Sequence, residues 1–181
     1  MMISDSRVPL CGYTIRMRMI AAALLLVSAL PAYTQDVKGT FLKHLKISKD
    51  FTLKVAEAMP EDSYDFKLTP PQMSFGGQIT HLAQAQDFFL CWLSGEKPRE
   101  AKPASKSKAD IIAFTKTAFD KAIARVEGMK AKDLAETFNT SEGPMTGLEL
   151  LMGDLDHTTH HRASAEMYLR AKGITPPEYK F

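Results

Sequence analysis

Cysteine is scarce: Cys11 and Cys91 are the only two in 181 residues. Cys11 falls in an N-terminal stretch that reads as a removable leader, so one thiol remains and an intramolecular disulfide is excluded. The domain must then be held by its core alone, which is feasible at this size. Net charge is scarce as well. Lys and Arg number 23 against 21 Asp and Glu, and three of the bases and one acid lie in the first 35 residues, leaving 20 of each sign beyond them. The pI of 8.5 therefore belongs to the leader, and nothing points to nucleic acid as a partner. At 45% hydrophobic and 24% charged, the chain has an ordinary globular composition, which excludes wholesale disorder and an integral-membrane body. Strand-like alternation never extends beyond a few residues, and no internal repeat is present.

What is present begins with that leader. Arg16 and Arg18 precede a twelve-residue apolar run, Met19 to Leu30, followed by Pro31, Ala32, Tyr33 and Thr34. A basic start, a short apolar stretch and small residues make a secretory signal peptide over 1–34. The run is too short to span a bilayer, which takes about 20 residues. The first sixteen residues do not resemble a signal n-region, so translation starting at Met17 or Met19 is compatible with the pattern. With no Cys at the junction, a lipid anchor there is not expected. The expectation is an exported protein, periplasmic or extracellular, whose mature chain is a single domain over 35–181.

Four long segments have helical spacing. Residues 37–59 place Phe41, Leu45, Phe51, Val55 and Met59 at helical intervals, and Pro60 stops them. Residues 73–94 follow Pro70-Pro71, with Gly76-Gly77 weakening the first turns. Residues 109–129 carry Ile112, Phe114, Phe119, Ile123 and Val126, and 145–172 end at Gly173 and Pro176-Pro177. A short helical turn is expected over 131–138, and the Asn139-Thr140-Ser141 triplet reads as a cap or loop. Between the second and third helices, residues 97–108 hold five bases and one acid with two prolines, which reads as a solvated linker. The expected fold class is all-α, a four-helix bundle whose connections are too long to fix the topology.

The chemistry-bearing residues are the histidines. Residues four apart on a helix differ by about 40° and about 6 Å along the axis, so His157 and His161 can chelate one ion from a single face. His160 is turned about 100° from His161, which suits a surface position or one behind the ligands. A third ligand from a neighbouring helix would fix a metal and leave a position open, and His81, within the second helix, is the best donor. His44 follows Lys43 and reads as a surface residue. A His-Glu-x-x-His protease is excluded, because Thr158 follows His157 and threonine is no base at neutral pH. No Gly-x-Ser-x-Gly elbow is present. Paired Glu-x-x-His motifs of di-iron bundles are absent too, since Gln78 and Asp154 occupy the glutamate positions.

The stretch Gly153-Asp154-Leu155-Asp156-His157-Thr158-Thr159-His160-His161-Arg162, with Glu166 to Arg170 and Gly173 to Pro177 beyond it, resembles the C-terminal signature of the DinB family of DinB/YfiT-like metalloenzymes. Ser74 to Ala83 is similar to that family's second-helix motif. The resemblance implies a four-helix bundle with one divalent metal on His81, His157 and His161. Where the family often continues with Gly-Gln, this chain has Ala163-Ser164, which spares the ligands and removes the glutamine amide. Related members are thiol-dependent transferases and isomerases. An exported location is at odds with a cytosolic thiol cosubstrate.

Two functions follow. In the first the chain is a metal-dependent enzyme, a hydrolase or thiol transferase acting on a small molecule, with Asp154 and Asp87 as candidate acid–base residues and Gln84 lining the site. In the second it is an exported metal- or ligand-binding bundle without turnover. A third reading, an interaction protein, requires no metal. Zinc and nickel both suit imidazole ligands, and the family makes a homodimer reasonable. Phe88, Phe89 and Trp92 read as core, dimer face or cleft wall, and Cys91 as core.

Overall fold

A computed structural model describes residues 37–179 of the chain. The leader expected over 1–34 lies outside the described residues, and among the described residues no helix is long and apolar enough to cross a membrane. Four α-helices are present: α1 over 37–58, α2 over Phe75–Leu90, α3 over Lys108–Gly128 and α4 over Gly147–Ala171. Three of the four starts have a local cause. Ser74 caps α2 by accepting from the Gly77 amide at 3.2 Å, and Ser107 caps α3 by accepting from the Asp110 amide at 3.2 Å. Thr146 and Glu149 close a reciprocal capping box on α4, with the Thr146 amide donating to Glu149 Oε2 at 2.7 Å. The α2 helix stops earlier than its spacing suggests. A short 3₁₀ turn, Trp92–Ser94, intervenes, and Gly95 adopts φ 69°, a left-handed conformation that glycine takes at little cost.

The all-α expectation needs correction. Residues expected as a helical turn and a helix start instead form a small antiparallel sheet, β1 (Thr137–Thr140) with β2 (Gly143–Thr146), in the register Thr137 to Thr146 and Thr140 to Gly143. Only Ala131–Leu134 keeps a 3₁₀ turn. The hairpin closes because Gly143 takes φ 107° and Thr140 Oγ1 donates to the Gly143 carbonyl at 2.7 Å. Asn139 and Thr140 of the triplet are thus in the strand and Ser141 is in the turn. The fold is mostly helical with this one small sheet among the described residues.

Side-chain pairs fix the helix directions. Gly76 meets Ile111, and further along Asp87 bonds Arg125, so α2 and α3 run parallel. Lys49 pairs with Asp120 and Lys46 with Glu127, so α1 runs antiparallel to α3. The partners of α4 descend as α2 ascends: Met73 meets Tyr168, Gln78 meets His161, Gln86 meets Thr158 and Phe89 meets Gly153. The sequence left the topology open, and these pairs settle it. The core is shared by all four helices, with Leu45, Val55, Phe75, Ile79, Leu82, Phe119, Val126, Leu151 and Leu169 buried together.

Glycine at the α4 start is a packing requirement. A Cβ on Gly147 would lie 2.1 Å from the Asp133 carbonyl oxygen, which is backbone and cannot swing aside. Gly128, at the end of α3, has nothing within 4 Å of its Cβ position. Gly147→Ala is therefore expected to destabilise the fold by at least about 1–3 kcal/mol. Gly128→Ala should be neutral or stabilising by up to about 1 kcal/mol. Urea denaturation of both variants against the parent checks the contrast.

Candidate metal centre

Three histidines from two helices meet. His81 on α2 and His157 and His161 on α4 each offer one ring nitrogen, and no two of these atoms are more than 4.8 Å apart. The ring centroids lie 4.5 Å apart for His81–His161 and for His157–His161, and 5.0 Å apart for His81–His157. The four-residue spacing puts the α4 pair on one face, and the antiparallel packing of α2 brings His81 opposite. His160 stands exposed beside His161, and His44, half-buried on α1, is not part of the group.

The environment keeps these rings neutral. Burial lowers the pKa of His81. For His157, burial and then the neighbouring His81 do the same. His161 is pushed down to about 4 by burial and by the two other rings. Neutral imidazole is the form that ligates a cation. Orientation is also set. His161 Nδ1 lies 2.6 Å from Gln78 Oε1, an amide oxygen that can only accept. That bond places the proton on Nδ1 and leaves Nε2 with its lone pair, the arrangement by which outer partners orient metal-binding histidines. The three rings therefore fit a divalent ion in donor type, protonation and approach.

Gln78 is the site residue that sequence reasoning missed, having been read only as a place where glutamate is absent. Its signal was its position one turn before His81, on the face toward α4. Phe89 is another contributor. Its ring fills the space over Gly153, where a Cβ would stand 2.8 Å from Phe89 Cε1, and it packs 5.8 Å from the His157 ring. With half-buried Phe88 it lines a cavity of about 490 Å³ that reaches His81 and His157. The cleft-wall alternative thus describes these two aromatics. Cys91 is fully buried, and burial pushes its thiol up to about 11.

The two carboxylates singled out from the sequence have other surroundings. Asp87 Oδ1 receives Arg125 Nη1 at 2.7 Å, and its Oδ2 accepts from the Arg99 amide at 3.0 Å. Asp154 is wholly buried, and neither of its oxygens has a hydrogen-bond partner among the described residues. It lies one turn from His157, whose own Nδ1 is buried without a partner among the described residues. The carboxylate lining a cavity with His81 and His157 is Glu100, in the connection after α2. Arg162, beside the ligands in sequence, is structural. It is buried over the Phe51 ring and donates to Ser48 Oγ at 2.6 Å, joining α4 to α1.

Fold and site together define a helical protein with a three-histidine cluster bridging two antiparallel helices. The DinB family profile matches residues 32–181, and the chain belongs to the DinB family. It is similar to the uncharacterised Bacillus subtilis protein YjoA, at 22% identity over 146 residues, 78% of this chain and 92% of YjoA. Crystal structures of two DinB-like proteins resemble it in fold. The Bacillus cereus protein gives a TM-score of 0.66 at 23% identity, covering 77% of this chain and 95% of that one. The crystal structure of YjoA gives 0.68 at 21% identity, covering 77% and 96%.

Burial raises the Asp154 pKa well above its ordinary value, which sets a pH dependence. Unfolded, the carboxyl ionises near pH 3.9; folded, it ionises only at much higher pH. Above about pH 4 the unfolded state therefore binds fewer protons, and the parent loses stability as pH rises. Asp154→Asn removes that loss. In metal-free protein the variant should be the more stable at pH 8, with an advantage that shrinks toward pH 4. Urea midpoints at four or five pH values test this, and an advantage independent of pH would contradict it.

Proposed function

We propose that this DinB-family chain is an exported four-helix-bundle protein that holds one divalent metal ion on His81, His157 and His161, with zinc or nickel as the ion. We further propose that it acts as a metal-dependent hydrolase or thiol transferase on a small molecule. The observation that carries the reading is the set of three neutral imidazoles, no two donor nitrogens more than 4.8 Å apart, on two packed helices. Bound there, a divalent ion with three uncharged ligands would keep its full charge and lower the pKa of a water or thiol. The protein's own contribution is to hold the ligands: Gln78 orients His161, and Phe89 packs on His157 and on Gly153. Cavities of about 540 and 490 Å³ reach His81, so a small molecule can approach the cluster. Export rests on the leader pattern of Arg16, Arg18 and Met19 to Leu30.

The second reading, a binding protein without turnover, is favoured by the fate of the carboxylates. Asp87 is engaged by Arg125, and Asp154 is sealed from solvent. In that reading the same cluster binds metal, and neither Asp87 nor Asp154 assists a reaction.

Metal content decides first. The purified protein, reconstituted with zinc and separately with nickel, should retain one ion per chain. The His81/His157/His161 triple-alanine variant should retain none, and His157→Ala alone should lose stoichiometric binding. Retention of a full equivalent by the triple variant would refute the centre. Turnover of ester, amide or thiol-acceptor substrates by the loaded protein alone separates the enzyme from the binding reading.

Gln78→Leu keeps the volume and removes the acceptor. It should weaken metal affinity by about 10- to 100-fold, the usual effect of losing such an outer partner. Competition with a chromogenic chelator reads this directly.

A further inference from the structure

The connection between α2 and α3 is the part of the molecule whose observed role departs furthest from its composition. Its lysines, arginine and prolines read as a solvated linker, yet it is fastened to the helices. Gln84 Nε2 donates to the Ala101 carbonyl at 2.8 Å, and the Arg99 amide donates to Asp87. At its far end Lys108 spans the C-terminal end of α1: its amide donates to Glu61 Oε1, and its ammonium donates to the Glu57 and Met59 carbonyls at 2.7 Å each. Held in this way, the segment forms a wall. Between it and α2 lies the cavity of about 540 Å³, within the size range of small-molecule sites.

The two sides of the cavity differ in character. From α2 come Gly77, Thr80, His81 and Gln84, spaced three and four apart and so on one face. Tyr64, Met73 and Ile111 add apolar surface. The Tyr64 hydroxyl is already spent on the Ala56 carbonyl at 2.7 Å, so that residue offers a hydrocarbon ring. From the connection come Lys102 and Lys106, both exposed, against a single lining acid, Asp65. Lys102 has a loose pairing with Glu100 at 3.5 Å, with both side chains well solvated. Lys106 has no ion-pair partner among the described residues. The cavity thus combines an apolar body with surplus positive charge at its solvent edge. The neighbouring cavity of about 490 Å³, across His81 and Gln84, differs in that its Arg99 and Glu100 balance one another beside Phe88 and Phe89.

We infer that the cavity walled by residues 102–106 binds a small monoanion with an apolar body, a carboxylate in the simplest case. The apolar part lies against Tyr64, Met73 and Ile111, and the anionic group lies at Lys102 and Lys106. Only the role of His81 at its inner wall, as the edge of the reacting centre, rests on the metal reading. The binding step stands on the cavity itself.

Octanoate, octylamine and 1-octanol make a matched probe set of one chain length and three charge states. Titrated calorimetrically into the full-length chain, octanoate should bind at least tenfold more tightly than octylamine. Lys102→Ala/Lys106→Ala, both at exposed positions, should weaken octanoate about tenfold or more and leave 1-octanol nearly unchanged. Thr80→Trp, which fills the cavity from the α2 face, should abolish binding of all three probes. Equal affinity for octanoate and octylamine, indifference to the lysine pair, or full octanoate binding by Thr80→Trp each overturns the inference. Zinc uptake by the unsubstituted protein, measured beside these titrations, separates the two claims. Octanoate binding and lysine dependence in a protein that takes up no zinc uphold the cavity and sink the metal reading. Zinc uptake with no charge preference among the probes does the reverse.

Discussion

The antiparallel register of α2 against α4 sets nearly everything at the site. Four contacts hold it along its length: the Tyr168 hydroxyl on the Met73 carbonyl, Gln78 on His161, Gln86 on Thr158, and the Phe89 ring on Gly153. The last is steric: a Cβ at 153 would stand 2.8 Å from a ring atom, and the half-buried Phe89 ring would have to move. Slide α4 by one turn, about 5.4 Å, and His81 faces a different pair of residues. The three rings lose their common centre, and Gln78 loses the imidazole it orients. The histidine centre is therefore a property of the helix pair, to which the buried polar bond between Gln86 and Thr158 adds a directional constraint that the apolar packing lacks.

Much of this was legible in the chain. The helices declared themselves through apolar residues three and four apart, because helix geometry imposes that period over many turns. His157 and His161 followed from the same geometry without knowledge of any neighbour. His81 needed a partner helix. Spacing could nominate it, and resemblance to the DinB motif selected it. The hairpin escaped because strands of four residues are too short to show alternation, and Gly143-Pro144 reads equally well as a helix opening. Gln78 was invisible for a different reason: its role depends on which face of α2 meets α4, a fact of tertiary register.

One residue and one segment show how composition misleads. Asp154 sits in a run of charged and polar residues, which suggests a solvated face. It nonetheless lies on the stripe of Leu150, Leu151, Thr158 and Ala165, all buried, and the helical period was the better guide. Residues 97–107 have the composition of a loose linker, but their bonds to Gln84 and Asp87 and the turn into α3 at Ser107 hold them against the helices. For Asp154 the residue-type rule lost to the helical period, and for the connection it lost to nonlocal contacts.

The anchoring of that connection has a consequence for how such a protein changes over generations. The candidate ligands stand on helices whose register is locked by buried contacts, whereas the wall facing them is surface chain tied down by a few hydrogen bonds. Substitutions at Lys102, Pro103 or Lys106 reshape the chamber without touching the core, and substitutions at Gly153 or Gln86 disturb the core before they alter the chamber. Variation is thus channelled. The wall can vary while the histidine frame stays fixed, so the shape of the chamber can diverge faster than the helices that carry the histidines.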